Sequence, residues 1–235
     1  KVKGGCEDES IRINNEFHYP AVTPMCGKQK GCIILLHGLN ERKWTKYLSW
    51  AYYLSRKTGK TVLLFPISFH QDRGPAEWLD RHSMQTRTEE RQKQFGSDLK
   101  YHSFINQALS ERLSETPERF FLSGLQTAGD LVKLVKEIHY GQHPLFEYGT
   151  RTNFFAYSIG GLLAQVLLTA NPYEMLTDSR LFLFCAGSTF AEMNGVSKFI
   201  LDPPAHERIQ HYYQHELNDI IKKPGVFREF FYVSK

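Results

Sequence analysis

Ser158 stands in the segment Ala156-Tyr157-Ser158-Ile159-Gly160-Gly161. An apolar run, Thr152 to Tyr157, leads into it, and an apolar stretch at helical spacing, Leu162 to Ala170, follows. A strand, a tight turn holding Ser among small residues and then a helix is an arrangement that strains the serine backbone and projects its hydroxyl above a sheet. The residues two before and two after the serine must then approach closely, and Ala156 and Gly160 are small enough to do so. The chemistry this implies is nucleophilic attack on an acyl carbon. The helix that follows aims its N-terminus at the serine and favours developing negative charge there. A plainer reading is that Ser158 only caps that helix, a position Ser favours.

Acyl transfer needs two backbone N–H donors aimed at the tetrahedral oxyanion. Ile159, directly after the serine, would supply one. The loop His37-Gly38-Leu39-Asn40, at the end of the first apolar run, would supply the other through Leu39. Gly38 lets the chain turn there, with Asn40 completing the loop. His37 reads as a buttress for this loop rather than as a base, because an upstream loop of this kind supplies oxyanion donors.

These residues need a scaffold. Gly31 to Leu36 is a continuous apolar run, read as a strand buried on both faces. Residues 44–57 carry Trp44, Tyr47, Leu48, Ala51 and Leu54 at helical spacing, with Gly59 as the stop. Thr61 to Phe65 is a second buried strand, so strand, helix, strand forms a βαβ unit and implies a parallel sheet. Residues 67–97 read as a long polar excursion, and 98–114 and 130–138 as helices. Residues 152–157 and 181–186 are the third and fourth buried strands. The expected organisation is an N-terminal arm over 1–30 and a core over 31–187. A helical excursion at 67–151 interrupts that core, and a helical segment over 188–235 holds a further strand at Phe227 to Val233. The excursion and the last segment are expected to build a cap lined by aromatics, or else to be extra scaffold.

Together the strand–turn–helix at Ser158 and the loop at His37 resemble the α/β-hydrolase superfamily over about residues 31–187. His37 to Arg42, Phe65 to His70 and Phe154 to Gly160 look more narrowly like an uncharacterised bacterial family within it. The resemblance implies an α/β fold, a mostly parallel sheet with flanking helices and helical cap insertions. It implies a serine hydrolase acting on a small-molecule ester or amide through an acyl-enzyme, with no cofactor. Ser158 would be the nucleophile, the Leu39 and Ile159 amides the oxyanion hole, and His37, Gly38, Asn40 and Gly160 the supporting residues. The superfamily keeps its acid and histidine later in the chain than its serine. No residue here occupies a position that matches them, so the core reads as incomplete at its C-terminal side. Asp202, His206, His211 and His215 are the available substitutes. Asp202 before Pro203-Pro204 reads as a cap or turn residue. His211 and His215 have a spacing that suits zinc, but the ordered His-Glu-x-x-His pattern is absent, and no metal site is expected. The alternative function is a non-catalytic binding module on the same scaffold.

Composition narrows the classes. The chain has 235 residues, 41% hydrophobic and 23% charged, which is globular rather than disordered or collagenous. No apolar run approaches the roughly 20 residues of a membrane span. The net charge of +4 is spread among acids without a like-charge block, so no nucleic-acid partner is expected. No Gly-x-Gly-x-x-Gly follows a strand, which disfavours a dinucleotide site. Cys32 and Cys185 are expected as small buried hydrophobes, and Cys6 and Cys26 are left as a possible pair. Oligomeric state and compartment stay open.

Overall fold

Alternating apolar runs and helical repeats fold here into an α/β protein; the computed structural model describes residues 12–24, 27–96 and 99–222. In chain order the main elements are β1 (Ala21–Val22), β2 (Gln29–Leu36), α1 (Thr45–Thr58), β3 (Thr61–Phe65), α2 (Arg81–Phe95), α3 (Gln107–Glu115) and α4 (Glu118–His139). They continue with β4 (Phe146–Tyr157), α5 (Ile159–Ala170), β5 (Leu181–Phe184), α6 (Pro203–His211) and α7 (Leu217–Lys222). The expected strand at Phe227 to Val233 and the Cys6–Cys26 pair lie outside the described residues. Among the described residues, no helix is long and apolar enough to cross a membrane.

The chain forms two compact units. The first holds residues 16–73 and 126–188 and contains the whole five-stranded sheet, ordered β1-β3-β2-β4-β5. β1 runs antiparallel to β3, and every other pair is parallel. Parallel strands need crossovers, and α1 supplies the one between β2 and β3. α1 ends where Gly59 adopts the left-handed conformation (φ 65°) and donates its amide to the Ser55 carbonyl. On one face of the sheet Ile33, Leu35, Val62 and Leu64 pack with Tyr47 and Ala51 of α1 and with Trp44, which directly precedes it. The alternate residues Ile34, Leu36, Leu63, Phe154 and Ala156 are buried too, which explains the unbroken apolar runs. Burying this set removes on the order of 2 kcal/mol per large side chain from water.

The second unit holds residues 74–125 and the chain from 189 on, and is helical where described. The long excursion is less irregular than its sequence suggests. It contains α2, whose first turn is capped by the Asp80 carboxylate accepting from the Ser83 amide at 2.7 Å. The buried positions of α2 are Met84, Thr88 and Arg91, helically spaced but mostly polar, so no apolar stripe announced them. α4 begins at Glu118, earlier than expected, because Gly124 and Gly129 are tolerated inside it. The helix read over 98–114 is α3, shorter at its N-terminal end.

Three further readings change. β4 starts at Phe146, six residues before the strand read over 152–157, so the end of the expected excursion is already sheet, with Gln29 paired to Phe146 across a register shift. The strand read over 181–186 stops at Phe184, because Cys185 turns out of it at φ 49°. β5 is the edge of the sheet, so Cys185 is exposed rather than buried, while Cys32 in central β2 is buried as expected.

Candidate functional site

The path of the chain through the sheet marks one place for a site. From β2 it moves to β3 on one side and then returns to β4 on the other side of β2. Open parallel sheets bind ligands outside the carboxyl ends of strands at such a switch point. β2 ends at Leu36 and β4 at Tyr157, and Leu36 pairs in register with Ala156. Leu39 and Ile159 therefore each lie three positions beyond one paired rung, on adjacent strands leaving the same edge of the sheet.

Ser158 links β4 to α5 with φ 53° and ψ −123°. A non-glycine residue there carries about 1–3 kcal/mol of strain. Its side chain makes no capping hydrogen bond, so the plainer capping role does not hold. Its amide donates to the Phe184 carbonyl at 3.2 Å, and its carbonyl accepts from the Gly161 amide at 2.8 Å. The backbone is thus held from β5 on one side and from α5 on the other. A β-carbon on Gly160 would lie 2.8 Å from the His37 carbonyl oxygen, and one on Gly161 would lie 2.4 Å from Ala186 Cβ. Only glycine lets α5 start this close to the ends of β2 and β5.

The His37 loop is held by its own side chains. His37 is fully buried; its Nδ1 lies 2.8 Å from the Gly38 carbonyl, and its Nε2 accepts the Ile67 amide at 2.9 Å. That pattern puts the proton on Nδ1 and leaves neither ring nitrogen for a substrate. Burial, with His70 and then the more distant Lys46 and Arg73 opposing a second positive charge, pushes His37 down to about 3, against the Gly38 hydrogen bond. It is a neutral brace. The Gly38 amide donates to the Tyr47 hydroxyl at 3.1 Å, so it is already used. Asn40 takes a left-handed conformation (φ 57°), which Asn tolerates better than most residues. Among the described residues, the Leu39 and Ile159 amides donate to no partner.

Tyr47 and its neighbours were not among the residues singled out from sequence. Tyr47 showed only as a core position of α1, yet its hydroxyl fixes the loop. Lys46, paired with Glu41, stands over the Tyr47 and Tyr157 rings at 4.8 and 4.5 Å. Helical spacing showed that Tyr47 is buried; nothing local showed where its hydroxyl would reach.

The substitute acid and histidines are engaged elsewhere. Asp202 caps α6 through the Ala205 amide and is fully buried against Arg91, at 2.7 and 3.1 Å, with His102 at 3.1 Å. Burial works to raise its pKa, but the His102 and Arg91 contacts and the Ala205 amide outweigh it and hold Asp202 at about 2. His206 Nε2 lies 3.1 Å from the Met193 carbonyl, and His211 contacts Glu216 at 3.3 Å and meets the tilted His215 ring at 4.7 Å. Among the described residues of the sheet unit, no histidine ring hydrogen-bonds the Ser158 hydroxyl. Among all described residues, no group of three or more His, Cys, Asp or Glu is placed to hold a metal.

No curated protein and no solved structure matches the chain. A family model covers nearly all of it, residues 2–231, including both strand ends and the Ser158 turn. The chain belongs to that family, a family of unknown function (DUF6051).

Proposed function

We propose that the protein is a serine hydrolase of α/β-hydrolase type, acting on an ester or amide through an acyl-enzyme on Ser158. The observation that carries this reading is the strained backbone of Ser158 at the end of β4, whose side chain caps nothing. A scaffold has no need of that strain, whereas a nucleophile raised above the sheet does. The amides of Leu39 and Ile159, unpaired and on neighbouring strand ends, support it as oxyanion donors. In this reading Ser158 Oγ adds to the carbonyl carbon as its hydroxyl proton passes to solvent, and the two amides take the charge on the carbonyl oxygen while α5 adds its dipole. The carbonyl then re-forms as the C–O or C–N bond breaks, and the alcohol or amine leaves with a proton from solvent. His37 positions the loop and holds no reacting proton.

The second reading is a non-catalytic binding module. It is favoured by the Ser158 hydroxyl having no histidine partner among the described residues of its own unit. A serine without a base is a poor nucleophile at neutral pH, so acylation is slow, with a residual enhancement on the order of 10³ from the oxyanion donors. Prolonged incubation with a fluorophosphonate, followed by peptide mapping, separates the two. Label on Ser158 that disappears in Ser158→Ala supports the hydrolase. A folded protein that takes up no label, or labels equally in Ser158→Ala, leaves the binding module.

A further inference from the structure

The described residues leave part of the sheet face next to α1 uncovered. Between α1 and β5 lies a groove of about 600 Å³, within the roughly 300–1,000 Å³ range of small-molecule sites. Its floor is a chain of rings. Phe182 stacks on Phe155 at 5.1 Å, Phe155 meets Trp50 at 5.9 Å, and Trp50 meets Phe184 at 5.5 Å. Phe182 is 58% exposed and Phe184 40%. Aromatic side chains lining a concave surface are the usual wall of a small-molecule site. Ser158 does not line it, so the groove stands apart from the site above.

The charge in this groove is one-sided. Among the described residues, Lys60 and Arg180 line it and no carboxylate does. Lys60 directly precedes β3 and Arg180 directly precedes β5, so both belong to the N-terminal rim of the parallel strands. The Lys60 stem runs over Gly31, whose missing side chain leaves the space: a β-carbon there would meet Lys60 Cγ at 2.7 Å. Among the described residues, neither cation has a carboxylate partner, and nearby Asp178 is engaged by Arg151 at 3.6 Å. The groove is therefore aromatic along its length and cationic at one end. From Arg180 to Phe184 is four strand steps, about 13 Å. At about 1.25 Å of advance per extended carbon–carbon bond, that holds a linear chain of about ten bonds.

We infer that this groove binds a single-chain anionic amphiphile, a medium-length fatty carboxylate. Its alkyl chain lies along Phe182, Phe155 and Trp50, and its head group faces Lys60 and Arg180. The alkyl chain covers apolar area that water otherwise wets, and the two cations supply charge-assisted hydrogen bonds to the carboxylate oxygens.

Calorimetric titration of the 235-residue chain with dodecanoate and with dodecyltrimethylammonium tests this, both below their micelle concentrations. Dodecanoate is expected to bind saturably and at least about tenfold tighter than the cation, the minimum that one charged hydrogen bond provides. The double variant Lys60→Ala/Arg180→Ala is expected to abolish that preference. Phe182→Ala, at an exposed position that leaves the core intact, is expected to weaken both ligands. Equal binding of the two head groups by the parent, no saturable dodecanoate binding, or a double variant that keeps the preference would each overturn the assignment. So would sedimentation showing a dimer that Phe182→Arg dissociates, because the groove would then be covered by a second copy.

Discussion

A β-carbon on Gly160 would stand 2.8 Å from the carbonyl oxygen of His37. The contact ties the first turn of α5 to the end of β2, and so ties the serine turn to the loop that carries Leu39. Gly160→Ala must push one of them away. The expected cost is about 1–3 kcal/mol, the usual range for overpacking, read as a lower midpoint in urea unfolding. Fluorophosphonate labelling of the folded variant should fall as well. A variant with parental stability and labelling would show that the contact is not made.

Ser158 at φ 53° predicts an unusual order of stability. Glycine adopts positive φ freely, whereas alanine is strained there. Ser158→Gly is expected to be at least as stable as Ser158→Ala, by up to about 1 kcal/mol, although glycine costs more entropy on folding. Thermal melts of the two variants decide it. A clearly more stable alanine variant would mean that the turn is relaxed.

His37 predicts a pH dependence of stability. Unfolded, it takes a proton below about 6.5; folded, burial holds it neutral down to about 3. Between those values unfolding takes up a proton, so stability falls as pH falls, by up to about 1.4 kcal/mol per unit from this one group. Urea unfolding at pH 7 and pH 5 measures the slope. Ring nitrogen shifts of His37 should also keep the neutral Nδ1–H form at pH 5. A protonated ring there would remove the proposed brace.

Asp202 is expected to matter for stability and not for chemistry. Asp202→Asn leaves Arg91 buried without its countercharge, a change that costs about 3–5 kcal/mol in a pair that is 6% and 0% exposed. The carboxylate is unfavourable to protonate when folded, at about 2 against 3.8 when free. Its contribution is complete above the free value and is lost as pH falls through the folded one. Chemical unfolding of the variant checks the first point. Labelling of Ser158 per folded molecule should be unchanged, and a large drop would make Asp202 part of the site.

Much of the sheet was readable from local pattern. β2, α1 and β3 fell where continuous apolar runs and helical spacing put them, because strands buried on both faces and a helix with one apolar side leave distinct periods. The serine turn was readable as well, since Ala156 and Gly160 bracket Ser158 with small residues. α2 was not readable, because its inward positions include Thr88, whose hydroxyl turns back on the Met84 carbonyl, and Arg91, whose burial depends on partners more than 20 residues away, Ser114 and Asp202. Cys185 could not be placed either. Its segment looks as apolar as the central strands, and only the pairing order makes β5 an edge. The tertiary structure alone decided that Leu36 lies beside Ala156, that the Tyr47 hydroxyl takes the Gly38 amide and that His37 has no free nitrogen. Each of these joins groups far apart in the chain or turned by the fold. A sequence reports how often a residue type is buried or strained, while register, edge position and the direction of a side-chain polar atom are set by long-range pairing.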